Sequence, residues 1–347
     1  MTQPMTQFER EIREQPEVLT RILGDAKVIA AAEVLRAQDR GLIMSLARGS
    51  SDNAVTFFGY LAGRFLGLPL ASLPPSLVTV YAAKMKAAGA LAVGVSQSGE
   101  SSDVLEGLRA LKAAGALTVA ISNDPESSLS RLADLSLEQR AGEEQAVAAS
   151  KTFSSQMMLL ALLVAHWSED AGLLTALQAV PERMRALLGD QSAVERAATR
   201  LTHAEHAYVL GRGLSYGPAL ELALKLKETS YLHAEAFSSA EFQHGPIAAV
   251  DPRYPVILLA TQDGSLESNL AVAERLCELE ADLTVVSGAQ ALEAYAGALV
   301  ALPEGLHPAT EAFLQVLAGQ LLALHLAQSK RLDPDKPRHL SKITKTM

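Results

Sequence analysis

Short apolar segments alternate with helix-like patterns along most of the chain. In the first half, "LAVGV" at 91–95 stops at a polar loop, and apolar residues then recur with helical spacing at Val104, Leu105, Leu108 and Leu111. A short apolar segment bounded by turn residues is typical of a buried strand, and spacings of three and four residues are typical of a helix. The repeated order of strand, loop and helix predicts βαβ units with parallel sheets, which is a doubly wound α/β fold.

The two halves of the chain contain similar segments at a nearly constant spacing. "LARGSS" at 46–51 matches "LGRGLS" at 210–215, and "VGVSQSG" at 93–99 matches "LLATQDG" at 258–264, so the two offsets are the same to within a single position. Two matches at nearly one offset predict two α/β domains in tandem. Coincidental similarity between two units of the same general fold is the alternative.

The length of 347 residues is enough for about two domains. The predicted organisation is an N-terminal helical segment at 1–27, a first domain at 28–168, a helical connector at 169–199 with a break at Pro181, a second domain at 200–330 and a C-terminal tail at 331–347.

Composition favours a small-molecule ligand. The formal net charge of -9 provides no broad basic field for nucleic acid or for an anionic membrane surface. The N-terminus lacks an apolar signal core, and the strongest apolar run, Met157–Ala165, is too short to cross a bilayer. The single cysteine, Cys277, is expected to be a helix core residue and cannot form an intramolecular disulfide. We therefore expect a soluble, cytoplasmic protein.

The polar loop after "LAVGV" is the first candidate site. In open α/β sheets, ligands bind beyond the carboxyl ends of the strands, where helix N-termini favour anions. Ser96, Ser98 and Ser101 supply hydroxyl groups there, and Gly99 lets the backbone approach a ligand. The chain has neither a P-loop nor a G-x-G-x-x-G motif, so a single phosphate monoester is the better ligand. A helix N-cap cluster is the alternative interpretation.

A second polar turn in the first half follows "LIMSLA". Gly49, Ser50 and Ser51 stand between this apolar segment and a helical pattern, so they are placed to line the same crevice. In the second half, Asp263 stands where Ser98 stands in the first, and its carboxylate would repel a phosphate. The repeat therefore predicts that the first half binds the phosphate and the second half supplies the chemistry.

The segment Glu221–Pro246 contains an unusual cluster of ionisable residues. Lys225 and Glu228 share a helix face, and four further groups follow closely. These four are His233, Glu235, Glu241 and His244. Carboxylate, histidine and lysine together can open a sugar ring and move a proton between carbons. An exposed ion pair with ordinary structural histidines is the alternative, and no H-x-x-x-H or H-E-x-x-H spacing indicates a metal.

The C-terminal tail is basic, with six Lys or Arg against two Asp in "KRLDPDKPRHLSKITKTM". It is either a disordered terminus or a segment that folds back over the phosphate crevice and contributes a lysine.

Five motifs together resemble a known family. They are "SQSGESSD", "VAASKTF", "GRGLSYGPALELALKLKETSYLHAEAF", "HGP" and "DKPRHLSK". The chain resembles the isomerase part of glucosamine-6-phosphate synthase, a tandem pair of sugar isomerase (SIS) domains with a flavodoxin-like fold, from about residue 25 onward. The resemblance implies no cofactor.

The resemblance also implies roles for particular residues. Glu228 corresponds to the base for proton transfer between C1 and C2, with Lys225 beside it. His244 corresponds to the ring-opening histidine, which is donated across a homodimer interface, and Lys342 to the lysine of the tail. The substrate contacts that it implies are the phosphate-binding Ser50, Ser51, Ser96, Gln97, Ser98 and Ser101, and the backbone near Val147 and Ala148, which lines the sugar.

The chain also departs from this family. Arg48 stands in place of a small residue or Cys, Ser50 in place of Thr, and the family's "GTE" reads Gly142-Glu143-Glu144. The family's glutaminase domain is missing from the sequence, so the resemblance shifts to relatives that deaminate and isomerise glucosamine 6-phosphate to fructose 6-phosphate and ammonia. A fructosamine-6-phosphate deglycase, an aldose-ketose phosphate isomerase and a non-catalytic sugar-phosphate sensor are the alternatives.

Overall fold

The computed structural model describes residues 5–342. The strands within this range form two five-stranded sheets. They are β1 (Ile43–Leu46), β2 (Leu70–Ser72), β3 (Leu91–Val95), β4 (Leu117–Ser122), β5 (Leu135–Glu138), β6 (His206–Gly211), β7 (His233–Ser238), β8 (Pro255–Leu259), β9 (Asp282–Ser287) and β10 (Ala298–Ala301).

Both sheets are built entirely from parallel strand pairs. The first has the order β2-β1-β3-β4-β5 and the second the order β10-β9-β8-β6-β7. Every strand pair is parallel. This is the doubly wound α/β fold in two tandem copies that the sequence predicts.

The α-helices surround the sheets and form the N-terminal and C-terminal segments. They are α1 (Gln7–Arg13), α2 (Gln15–Ile22), α3 (Ala26–Arg36), α4 (Ser50–Leu66), α5 (Ser76–Thr79), α6 (Ser102–Ala113), α7 (Ser128–Leu132), α8 (Lys151–Ser168), α9 (Ala171–Gly189), α10 (Ser192–Arg200), α11 (Tyr216–Ser230), α12 (Ser239–Phe242), α13 (Leu266–Glu278) and α14 (Pro308–Ser329). Short 3-10 helices lie at Gly213–Ser215, Pro246–Ala249 and Gln290–Tyr295.

The chain forms two compact units, defined here by their described residues. The N-terminal unit contains residues 17–144 and 151–178, and the C-terminal unit contains residues 5–16, 145–150 and 179–342. Each unit holds one of the two sheets. The domain bounds drawn from the sequence stay a prediction.

Two long helices are buried on nearly every side, α8 in the N-terminal unit and α14 in the C-terminal unit. Such all-round apolar helices are typical of a protein core. Within residues 5–342, α14 alone is long and apolar enough to span a membrane by length and composition, and 94% of its most apolar window is buried inside the protein. Met157–Ala165, the strongest apolar run in the sequence, lies in α8.

Two local predictions are wrong. The helix does not break at Pro181, because α9 continues through it to Gly189. Leu177 and Val180 before the proline and Met184 after it are fully buried. Packing of these side chains along one face stabilises the helix on both sides of Pro181. Cys277 is exposed, not a core residue, because the buried stripe of α13 includes Leu276 and the next position lies about 100° away around the helix.

Candidate functional site

The anion loop of the N-terminal unit, residues 96–101, connects β3 to α6. Gly99 has φ +67°, and a Cβ at this position would collide with the side chain of Ser127, so the loop requires glycine here. The Gly99 N–H donates to Ser96 Oγ at 3.2 Å and the Glu100 N–H donates to Ser98 Oγ at 3.2 Å. Both hydroxyl groups are thereby fixed while their own hydrogens can still be donated to a ligand.

Ser101 occupies the N-cap position of α6 but makes no side-chain capping hydrogen bond. The capping interpretation of the loop is therefore wrong for this residue. Gln97 and Ser98 are half-buried, and the backbone carbonyl of Gln97 accepts a hydrogen bond from the Asn123 N–H at 3.1 Å. The loop thus has a defined shape at the N-terminus of a twelve-residue helix.

The second polar turn of the N-terminal unit lies at the same sheet edge. Gly49 is the N-cap of α4, followed by Ser50 and the nearly buried Ser51. Because β1 and β3 are neighbouring parallel strands, the loops that follow them share an edge. An ion pair joins the turn after β1 to the first turn of α6, with Arg48 Nη2 2.8 Å from Asp103 Oδ2. The residues that are predicted to bind phosphate therefore lie at one end of the first sheet. Their roles in binding stay predictions.

The catalytic candidates of the C-terminal unit lie on α11. The Lys225 ammonium is fully buried and lies 2.5 Å from Glu228 Oε2 and 3.3 Å from Glu221 Oε1. Burial lowers the pKa of Lys225, but the two carboxylates outweigh burial and hold that pKa above its usual value. Glu228 is half-buried and reachable from solvent. The exposed ion-pair interpretation of Lys225 and Glu228 is therefore wrong.

The histidines of this segment are on the surface. His244 lies in the turn after α12, is exposed, and donates its backbone N–H to Glu241 O at 3.0 Å. His233 is exposed at the start of β7 and contacts the ring of His206 edge-on, with the centroids 5.6 Å apart. Glu235 and Glu241 are also exposed. Within residues 5–342 the structure does not join His244 to the Lys225–Glu228 pair by a hydrogen bond.

The described part of the tail is folded onto the C-terminal unit. Lys342 Nζ donates to Ala146 O at 2.7 Å, in the same segment as the half-buried Val147 and the buried Ala148. The Arg338 guanidinium lies over the Tyr231 ring at 4.5 Å, and Tyr231 caps the end of α11. The disordered interpretation is wrong for residues 331–342, and residues 343–347 of the predicted tail lie outside the described part of the chain.

Asp335 of the tail holds the first turn of α1. Its carboxylate accepts hydrogen bonds from the N–H groups of Gln7 at 2.7 Å and Phe8 at 2.8 Å. Such capping satisfies helix N–H groups that have no partner within the helix. The tail and the N-terminal helix therefore belong to one unit.

Comparison with known proteins decides the family. The family described as the SIS domain matches residues 46–166 and 200–329, which include both sheets almost completely. The chain belongs to the SIS domain family. The two matches confirm the tandem repeat and the resemblance inferred from the motifs.

Two curated relatives of this SIS protein have the same name. This chain is 34% identical to the glutamine-fructose-6-phosphate aminotransferase (isomerizing) of Aquifex aeolicus and 36% identical to that of Aeropyrum pernix. Each match covers 96% of this chain and 56% of the relative. The chain thus spans little more than half the length of these curated relatives.

Two solved structures have this fold along nearly the whole chain. A candidate phosphosugar isomerase from Silicibacter pomeroyi is 34% identical, with a TM-score of 0.87, and covers 95% of this chain and 100% of its own. The C-terminal domain of glucosamine-fructose-6-phosphate aminotransferase from Francisella tularensis is 28% identical, with a TM-score of 0.85, and covers 96% of this chain and 99% of its own. Both structures therefore share the tandem SIS fold with this chain.

Three contributors to the site of this SIS protein were missed in the sequence. Glu221 is the buried second partner of Lys225, and its spacing of four residues is a signal that could have identified it. Glu11 accepts hydrogen bonds from the N–H groups of Gln145 at 2.6 Å and Ala146 at 3.2 Å, and no sequence signal links it to them. Asp103 pairs with Arg48, which the motif comparison identified only as a departure.

Proposed function

We propose that this SIS protein converts glucosamine 6-phosphate and water into fructose 6-phosphate and ammonia. The observation that carries the proposal is the contact between Lys225 and Glu228, because it fixes a half-buried carboxylate beside a permanent positive charge. The isomerizing fructose-6-phosphate aminotransferases among its relatives support an amino-sugar 6-phosphate as the substrate class.

The proposed chemistry is a proton transfer between adjacent carbons followed by hydrolysis. In the open-chain sugar, Glu228 removes the proton from C2, which carries the amine, and a proton is returned to C1, which carries the carbonyl oxygen. A second proton passes from the amine nitrogen to the C1 oxygen, so the C2–N bond becomes an imine and C1 becomes a hydroxymethyl carbon. Water adds to C2, the C–N bond breaks, and the nitrogen leaves as ammonia.

The charge balance on α11 suits this task. Lys225 is paired with the deeply buried Glu221 as well as with Glu228, so its charge does not depend on the protonation of either carboxylate alone. When Glu228 accepts the substrate proton, Lys225 retains a carboxylate partner 3.3 Å away. The pair can therefore pass through both protonation states without leaving a buried charge unpaired.

The phosphate end of the substrate is assigned to the two loops at the carboxyl edge of the first sheet. Hydroxyl groups of Ser50, Ser51, Ser96, Ser98 and Ser101 and the N-terminus of α6 supply donors to a dianion. The contact of Lys342 with Ala146 supports a role for the tail beside the segment that includes Val147 and Ala148.

A homodimer with shared sites is part of the proposal. His244 is exposed, and within residues 5–342 its ring has no hydrogen bond to hold it. An exposed, unheld ring can serve as the ring-opening acid and base for a second copy of the chain. The shared site predicts that mixed subunits can complement each other, which is tested below.

A substrate panel tests the proposed activity. The purified protein is incubated with glucosamine 6-phosphate, its N-acetyl derivative, a substituted fructosamine 6-phosphate and glucose 6-phosphate, while ammonia, released amine and ketose phosphate are assayed. We expect ammonia and fructose 6-phosphate in equal amounts from glucosamine 6-phosphate alone. Glu228→Gln should abolish both products, and Glu274→Gln, which changes an exposed carboxylate outside this cluster, should not.

Each competing function gives a distinct result in this panel. Conversion of glucose 6-phosphate without ammonia would identify a simple isomerase, and amine release from the substituted fructosamine phosphate would identify a deglycase. Saturable binding with no product would identify a sensor. Any of these three outcomes overturns the deaminase proposal.

A further inference from the structure

The second sheet has its own version of the anion loop. The matched segments of the repeat place Ser215, Thr261 and Gln262 at the positions that Ser51, Ser96 and Gln97 occupy in the first half. Ser215 and Thr261 are fully buried. Ser215 Oγ, Thr261 Oγ1 and Gln262 Nε2 have no hydrogen-bond partner in the described chain. Buried polar atoms without a partner are unusual in proteins and suggest a binding cradle.

A carboxylate of the same unit fills part of this cradle. Glu311, in the first turn of α14, is fully buried. Its Oε2 accepts the Gln262 N–H at 3.0 Å and its Oε1 accepts the Gly288 N–H at 2.7 Å. Both oxygens act as acceptors, as in an ionised carboxylate. Burial raises the pKa of Glu311, and the two N–H donors oppose that rise.

The close approach at this site depends on glycine. A Cβ at Gly288 would lie 2.6 Å from Pro303 O and 2.9 Å from Gln262 Nε2, so no other residue fits without displacement of the backbone. The two N–H groups that hold Glu311 thus come from the loops after β8 and β9, which are neighbouring strands of the sheet.

The hydrogen bond of the first half that corresponds to the one between Gly288 and Glu311 has a backbone acceptor. The N–H of Asn123, which the repeat aligns with Gly288, donates to a backbone carbonyl, that of Gln97. The first turn of α8, the helix that follows the last strand of the first sheet, reads Lys151-Thr152-Phe153-Ser154 and has no acidic residue. The two cradles therefore differ in the acceptor of this N–H group, which is a carboxylate in the second half and a backbone carbonyl in the first.

We propose that Glu311 is an internal anion that takes the place of a ligand in the second cradle, so that the C-terminal unit stays in an anion-bound conformation without substrate. Asp263, close enough to repel Glu311, adds further negative charge, so a phosphate is excluded while Glu311 is present. Removal of Glu311 should open a site for a small carboxylate or another oxyanion.

The test is chemical rescue in the full chain. Glu311→Ala removes Cγ and the carboxylate, a fragment with the size of an acetate ion, and should lower the thermal midpoint by roughly 5 °C or more. Sodium acetate should then raise the midpoint by about 2 to 4 °C more than sodium chloride at equal ionic strength. Wild type and Glu293→Ala, which removes an exposed carboxylate, should respond equally to both salts.

Equal effects of acetate and chloride on Glu311→Ala would overturn the proposal. If Glu311→Ala cannot be recovered folded, hydrogen exchange on Glu311→Gln decides. An amide side chain has only one acceptor oxygen, so the N–H of Gln262 or Gly288 should exchange at least about tenfold faster than in wild type. Unchanged exchange at both N–H groups would also overturn it. Ser98→Asp, a substitution in the anion loop of the N-terminal unit that should abolish sugar-phosphate binding, tests the proposed function separately.

Discussion

The buried lysine of α11 allows stability and catalysis to be separated by mutation. Lys225→Met keeps the length of the side chain but removes its charge, and leaves Glu221, 1% exposed, without its cation. At an effective dielectric constant of about 20, two unit charges 3.3 Å apart attract by about 5 kcal/mol. Breaking buried pairs by removing one partner typically costs about 3–5 kcal/mol. We expect the free energy of unfolding to fall by this amount.

Glu228→Gln should behave differently. It leaves the Lys225–Glu221 pair intact, and the amide oxygen of glutamine can still accept a hydrogen bond from the ammonium. The cost should therefore be near 1 kcal/mol, typical for one hydrogen bond. Lys227→Met, two residues from Lys225 and exposed, is the matched control and should cost less than about 0.5 kcal/mol.

The assay is equilibrium unfolding in urea near pH 7.5 for the three variants and the wild type. The deficit of Lys225→Met should shrink as the pH is lowered toward about 5, because protonation removes the unpaired negative charge of the buried carboxylate. A Lys225→Met variant within about 1 kcal/mol of the wild type would refute the reasoning, since the pair would then contribute little more than a surface contact.

Five further outcomes are expected. Exchange of the substrate C2 hydrogen with solvent should fall by a factor on the order of 10² to 10⁴ in Glu228→Gln while calorimetric binding survives, and unchanged exchange would mean that another residue is the base. Ser98→Asp should abolish sugar-phosphate binding, while its circular dichroism spectrum should show that the fold is retained. An affinity equal to that of the wild type would mean that this loop does not bind the phosphate. Removal of residues 339–347 should abolish turnover in a chain that stays dimeric. Heterodimers of Glu228→Gln with His244→Ala should regain up to about half the wild-type rate. Heterodimers that are verified by mass and are inactive would exclude a shared site. Burial raises the pKa of Glu311 above its usual 4.5, so the folded chain binds a proton there more readily than the unfolded chain. The wild type should therefore gain stability relative to Glu311→Gln as the pH falls from 7 through the pKa of the folded state. The opposite pH dependence of the urea midpoints would mean that the two N–H donors outweigh burial.

The sequence predicts the sheets and their repetition well, because both depend on short-range pattern. Buried parallel strands such as β3 appear as continuous apolar runs, and the matched loops recur in both copies at a nearly constant offset. Cys277 shows the limit of this reasoning, since an apolar residue type was read as core although it lies beside the buried stripe of α13.

The site residues were predictable only where they share a helix or a loop. Lys225 and Glu228 are three residues apart, so the sequence placed them together but did not reveal that the lysine is fully buried. The contacts of Glu11 with Ala146 and of Lys342 with the same residue join positions 135 and 196 residues apart. No local pattern encodes such pairs, because they depend on how distant segments pack.

The capping of α1 by Asp335 has a consequence for synthesis of the chain. Gln7 and Asp335 are 328 residues apart, so at about 5–20 residues per second a ribosome takes on the order of tens of seconds to make the second after the first. A seven-residue helix is too short to be stable alone. Phe8 and Ile12, fully buried in the finished protein, must therefore remain exposed on the nascent chain until nearly all of it has emerged. We expect this first helix to be among the last to acquire its final contacts, and to be a binding site for chaperones until then.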